Sequence, residues 1–192
     1  MRAWRITAVV TLLLWAQGAA AGTLLVLGDS ISAAFGLDTR QGWVSLLEQR
    51  LAAEGFDYQV VNASVSGDTS AGGLARLPTL LAEHRPDLLI VELGGNDGLR
   101  GQPPAQLQQN LAAIIQSARE SGARVLLLGM QLPPNYGARY NALFSQVYAD
   151  VAGAAQVPLL GFFLDGVGGV PALMQGDGIH PNAAAQPRLL DN

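Results

Sequence analysis

The sequence predicts an α/β fold, a three-layer α/β/α sandwich around a parallel sheet of about five strands. Three observations carry this expectation. Short apolar runs recur along the chain with helical stretches between them. Runs such as LLIVEL and VLLLGM are apolar almost throughout, as strands buried on both faces of a parallel sheet are. Polar, glycine-rich loops follow the first three runs, and such loops gather at the carboxyl edge of a parallel sheet.

Taken in order, the chain opens with Arg2 and Arg5 ahead of an apolar stretch from Ile6 to Trp15, and Ala19-Ala20-Ala21 follows. That layout predicts a secretory signal peptide over residues 1–21, with an apolar part too short for a comfortable membrane span; a retained N-terminal anchor is the alternative. A single domain over residues 22–192 is expected beyond it, without repeats or linkers. The first strand is expected at Thr23–Leu27, followed by a helix over Gln41–Glu54. That helix carries Trp43, Leu46, Leu47 and Leu51 at helical spacing and is stopped by Gly55. A second strand at Tyr58–Val61 leads to a helix over Thr69–His84, with Asp68 as its expected N-cap. Strand three, Leu88–Leu93, precedes a helix over Pro103–Ser121 with Leu107, Leu111, Ile114 and Ile115 on one stripe. Strand four spans Arg124–Met130, a helix covers Tyr140–Ala155, and a weaker strand is expected near Pro158–Phe162. Alternation of this kind implies right-handed crossovers between parallel strands.

Composition narrows the function classes. All 11 basic residues are arginines, set against 15 acids; removing the signal leaves nine arginines and a net charge of −6. An acidic surface without basic clusters argues against nucleic acid and anionic membranes as partners. The chain has no cysteine, which removes disulfides, thiolate nucleophiles and cysteine-ligated metals, and leaves no lipidation site after the signal. Export without disulfides fits a bacterial periplasm, or secretion.

Four polar loops could converge on one sheet edge. They are Gly28-Asp29-Ser30, Asn62 to Asp68, Gly94-Gly95-Asn96-Asp97, and Asp177 to Asn182. The chain has two histidines. His84 sits at an expected helix C-terminus, where an imidazolium favours the negative end of the dipole, and it reads as a solvated capping residue. His180 lies three residues after Asp177, so the carboxylate can reach one ring nitrogen while the other points outward. Ser30, at the tip of a strand-ending turn, could be a turn or capping serine, or a nucleophile whose own N–H serves as an oxyanion donor. Gly67 can offer a close backbone N–H and Asn96 a side-chain amide, although each could equally be a plain turn residue. Asp29, Asp68 and Asp97 read as loop-organising carboxylates. No His-x-x-x-His or Asp-x-Asp spacing supports a metal site, and no cofactor is implied. The G-x-S-x-G elbow of ordinary α/β-hydrolases is absent from the sequence.

GDSIS with Ser30, SGDT with Gly67, GGND with Asn96 and DGIHP with Asp177 and His180 occur in the order of the SGNH hydrolases, also called the GDSL family, and the chain resembles that family from Thr23 onward. The stretches NASVSGDTSAGGLARLP and VELGGNDGLRG resemble its periplasmic subgroup of arylesterases, acyl-CoA thioesterases and lysophospholipases. The resemblance implies a flavodoxin-like sandwich, with Ser30 as nucleophile, His180 as general base then acid, and Asp177 as its orienting partner. The Ser30 N–H, the Gly67 N–H and the Asn96 side chain would form the oxyanion hole. Gly98, Leu99 and Arg100 of a mobile loop, with Leu132 and Pro133 of QLPPNYG, would line the acyl site. The implied partner is a small acyl ester, thioester or lysophospholipid; a monomer is the default, and no stable membrane insertion is expected. Two departures stand out: Ile31 replaces the family leucine, and Pro187-Arg188-Leu189-Leu190 can only begin the longer final helix of family members. Packing near His180, and hence stability, would suffer from that loss. A carbohydrate O-acetyl esterase using the same four residues is an alternative, and a non-catalytic ligand-binding module on the same scaffold is another.

Overall fold

A computed structural model describes residues 21–192; the expected signal peptide falls almost wholly outside them. Five parallel strands form one sheet: β1 (Gly22–Gly28), β2 (Tyr58–Asn62), β3 (Leu88–Glu92), β4 (Arg124–Leu128) and β5 (Leu159–Leu160). Their spatial order is β2-β1-β3-β4-β5, the flavodoxin-like order, so the topological switch point lies between β1 and β3. The two central strands are the most apolar because helices cover both of their faces. Leu25, Val26, Leu27, Leu89 and Val91 are all fully buried. Edge strand β2 is half-buried, which explains its weaker, polar-interrupted sequence.

The helices are α1 (Trp43–Ala53), α2 (Ser70–His84), α3 (Gly95–Leu99), α4 (Pro104–Glu120), α5 (Ala138–Ala155) and α6 (Gln186–Asp191). The stripe on α4 is as expected: Leu107, Leu111, Ile114 and Ile115 are buried, each side chain contributing roughly 1.5–3 kcal/mol. Helix α4 packs between α2 and α5, while α1 packs against α6. The N-cap of α2 differs from the expectation. Thr69, in extended conformation, accepts the Gly72 N–H, while Asp68 turns one oxygen to the Thr69 N–H and the other to Arg76. A carboxylate with a cationic partner within reach is thus drawn from the capping position, and the neighbouring hydroxyl takes it.

Register decides what meets at the carboxyl edge. Gly28, the last residue of β1, pairs with Glu92, the last residue of β3. A side chain at Gly28 would strike Ser32 and the Ser64 hydroxyl at under 3 Å, so glycine lets the β1 and β2 loops close together. The remaining polar loop, Asp177 to Asn182, returns to the same edge. It is stapled by a Met174–Pro181 bridge and by the Gln175 N–H donating to the His180 carbonyl at 2.7 Å.

Candidate active site

Ser30 stands on a run of tight turns immediately beyond β1. Asp29 organises the first of them: its carbonyl accepts the Ala33 N–H and its Oδ1 accepts the Ile31 N–H at 3.0 Å. The Ser30 carbonyl accepts the Phe35 N–H, and Ala34 takes a left-handed conformation (φ 56°) that bends the chain back. The serine itself is only 9% exposed.

The acid and base come from one short turn. Asp177 Oδ1 accepts the N–H groups of Ile179 (2.9 Å) and His180 (3.0 Å), which leaves Oδ2 to meet His180 Nδ1 at 2.6 Å. These bonds, the His180 N–H foremost, hold the Asp177 carboxyl down at about 2, so it is ionised at neutral pH. An ionised carboxylate at 2.6 Å requires a proton on Nδ1, so in the neutral imidazole Nε2 is the acceptor. Nε2 lies 2.8 Å from Ser30 Oγ, so the hydroxyl donates to the imidazole across 150 residues of sequence. Phe35 covers the imidazole, ring centroids 4.5 Å apart, and its carbonyl accepts the Gln175 side-chain amide.

Asn96 lies near the start of α3, and its Nδ2 donates to Asp29 Oδ2 at 3.1 Å, leaving the second amide hydrogen for the site. Asp97 is fully buried and accepts both the backbone N–H and the hydroxyl of Ser70, fixing α3 against the start of α2. Gly67 has φ +81°, a left-handed conformation that favours glycine; its carbonyl accepts Arg100 Nη2 at 2.8 Å. Among the described residues, the N–H groups of Ser30 and Gly67 have no protein acceptor.

These groups open onto a cavity of about 500 Å³ whose lining is mainly apolar. Ser30, Asn96 and His180 reach it with Leu99, Leu132 and Pro133, joined by Met130, Phe162, Leu164, Met174 and Ile179. Gly98 and Arg100 do not line it. Gly98 is buried beneath Leu132 and Phe144, and Arg100 is turned to the Gly67 carbonyl. Gly67 is exposed and is not among the lining residues. His84 ends α2, outside this site.

Glu92 carried no signal within an apolar run and is completely buried. Its Oε2 accepts the Ser32 hydroxyl (2.7 Å) and the Asp29 N–H (3.2 Å), bracketing Ser30 from beneath; Trp43 Nε1 donates to Ser32 Oγ in turn. Burial, aided by the nearby Asp29 charge, pushes the Glu92 carboxyl well above the ordinary range. Burial likewise pushes Asp29 up to about 6, against the pull of the Ile31 N–H, the His180 charge and the Asn96 amide. No group of acids and histidines among the described residues could hold a metal ion, and no described helix is long and apolar enough to cross a membrane.

The GDSL-like Lipase/Acylhydrolase family matches residues 26–187. Esterase TesA of Pseudomonas aeruginosa is 67% identical over 192 residues, covering 100% of this chain and 96% of that protein. Thioesterase 1/protease 1/lysophospholipase L1 of Escherichia coli K12 is 48% identical over 188 residues, covering 98% and 89%. The crystal structure of the psychrotrophic esterase EstA from Pseudoalteromonas, inhibited by monoethylphosphonate, superposes with a TM-score of 0.85 at 42% identity, covering 88% of this chain and 93% of that one. With the family match running from inside β1 into α6, this chain belongs to the GDSL-like lipase/acylhydrolase family.

Proposed function

We propose that the protein is a serine ester hydrolase that cleaves acyl esters and thioesters, lysophospholipids among them, through an acyl-enzyme. The observation that carries this reading is the unbroken chain from Asp177 through His180 to Ser30, at 2.6 and 2.8 Å, opening onto an apolar cavity. Ser30 Oγ attacks the substrate carbonyl carbon as its proton passes to His180 Nε2. The carbonyl oxygen becomes an oxyanion that the Ser30 and Gly67 N–H groups and the Asn96 amide receive. Collapse breaks the bond to the alcohol or thiol, which leaves with the proton from His180. Water then attacks the acyl-Ser30 ester, giving its proton to His180; the acid departs and the serine recovers its hydrogen. The apolar lining near Leu99, Leu132 and Pro133 suits an acyl chain better than a sugar. Arg2, Arg5 and the apolar run behind them support export to the periplasm.

The test is a panel of p-nitrophenyl esters and acyl-CoAs assayed with wild type and Ser30→Ala, together with labelling by an alkyl phosphonate. Turnover and labelling are expected to vanish in the variant. Labelling retained at another serine overturns the nucleophile assignment.

A further inference from the structure

One guanidinium joins the two loops that carry Ser30 and Gly67. Arg76 lies on the second turn of α2, with its side chain only 25% exposed. Its Nε donates to Asp68 Oδ2 at 2.7 Å, its Nη1 to the Ala63 carbonyl, and its Nη2 to the Gly28 carbonyl at 3.3 Å. Gly28 is the end of β1, two residues before the nucleophile; Ala63 is the first residue past β2; Asp68 directly follows Gly67. The Gly28 carbonyl also accepts the Val65 N–H at 3.0 Å, so the same oxygen is held from the β2 loop and from α2. Arg76 is not among the residues lining the cavity, and its charge faces Asp68, so it does not reach the reacting atoms.

Only arginine meets this set of acceptors, because a planar fork presents donors in several fixed directions at once. A lysine ammonium on a flexible stem can sit against one acceptor but cannot hold two backbone carbonyls and a carboxylate at a set spacing. Gly28 precedes Ser30 by two residues, and Ala63 and Asp68 bracket Gly67 in the chain; the N–H groups of Ser30 and Gly67 are those read above as oxyanion donors. We propose that Arg76 is a positioning residue that sets the spacing between the Ser30 and Gly67 N–H groups, acting through the Gly28 carbonyl and Asp68. The proposal rests on that reading of the oxyanion hole.

Donors held for a tetrahedral oxyanion act mostly in the transition state, so losing their spacing lowers kcat and leaves KM largely alone. A misplacement of roughly 1 Å costs up to about 10²-fold. Arg76→Met keeps the apolar stem, and Arg76→Lys keeps the charge beside Asp68. With p-nitrophenyl butyrate both are expected to lose roughly 30- to 100-fold in kcat with KM within about twofold, at temperatures well below their measured melting points. Coupling separates this role from general weakening. Combined with Gly67→Ala, Arg76→Met is expected to add less than about threefold to the slower single variant, whereas combined with Asn96→Ala the two losses multiply. A kcat within about threefold of wild type in either Arg76 variant, or independent losses with Gly67→Ala, overturns the proposal. Arg76→Lys alone decides it should Arg76→Met not accumulate as folded protein. If Ser30→Ala is inactive while both Arg76 variants turn over normally, the hydrolase reading stands and the role of Arg76 falls. If wild-type turnover does not depend on Ser30, the hydrolase reading itself falls.

Discussion

Replacing Asp177 by asparagine separates orientation of the imidazole from everything else the aspartate does. Asp177 makes three bonds, with Oδ1 taking two backbone N–H groups and Oδ2 taking the His180 ring. An asparagine can keep its carbonyl on the two N–H groups, and its NH₂ then faces His180 Nδ1. The opposite flip would point an NH₂ at two donors and lose both bonds, so it is disfavoured by about two hydrogen bonds of roughly 1 kcal/mol each. In the retained arrangement Nδ1 must accept, the ring proton moves to Nε2, and the histidine can no longer take the Ser30 proton. A wrong tautomer of this kind costs ~10⁴-fold in kcat, about 5 kcal/mol of barrier. The fold is expected to be nearly untouched, with a melting temperature within about 3 °C of wild type, because the turn keeps its backbone bonds. The assay is p-nitrophenyl butyrate hydrolysis over pH 5 to 9, with circular-dichroism melts of the same samples. A loss smaller than about tenfold would mean that the Asp177–His180 bond does not set the tautomer.

Asn96→Ala is expected to lower kcat by ~10²–10³-fold with little change in KM, measured with the same ester; an unchanged kcat removes Asn96 from the oxyanion hole. Glu92→Gln probes the buried acid beneath the nucleophile. Because burial raises the folded-state pKa above the ordinary glutamate value of 4.5, the native state binds more protons than the unfolded chain above that pH, so wild-type stability falls as pH rises through this range. Asp29, raised from 3.8 to about 6, acts in the same sense between those values. The melting temperature of Glu92→Gln is therefore expected to gain on wild type from pH 5 to pH 8, and parallel profiles would refute the assignment. Leu189→Ala, on the buried face of α6, is expected to cost ~2–5 kcal/mol in urea unfolding while kcat per folded molecule stays near wild type.

The doubly covered strands were legible because burial on both faces leaves no room for polar residues, as in Leu24–Leu27 and Leu89–Val91. The juxtaposition of Asp177, His180 and Ser30 was legible for a local reason. Asp177 and His180 stand three residues apart, and Ser30 follows the end of β1 by two residues. Glu92 escaped notice because its partners, Asp29 and Ser32, are 60 or more residues away and meet it only through the β1–β3 register. Arg76 and Phe35 escaped for the same reason: nothing local announces that one guanidinium joins two loops, or that one aromatic ring will lie on an imidazole. The N-cap of α2 was misplaced by one residue because Asp68 is engaged by Arg76, a tertiary preference that helix-end rules do not contain. The C-terminal segment also does more than its length suggests. Gln186 Oε1 accepts the Trp43 N–H at the start of α1, so the last helix caps the first.

The separation between the nucleophile and its base has a consequence for how the activity comes into being. On the proposed mechanism a growing chain displays Ser30, Gly67 and Asn96 early, yet the imidazole that would activate the serine is encoded 150 residues after it. Until translation has passed His180, the nascent polypeptide is chemically mute. On that mechanism hydrolytic competence waits for His180, and interruption anywhere upstream of it yields a product unable to attack the acyl groups of the cell that made it.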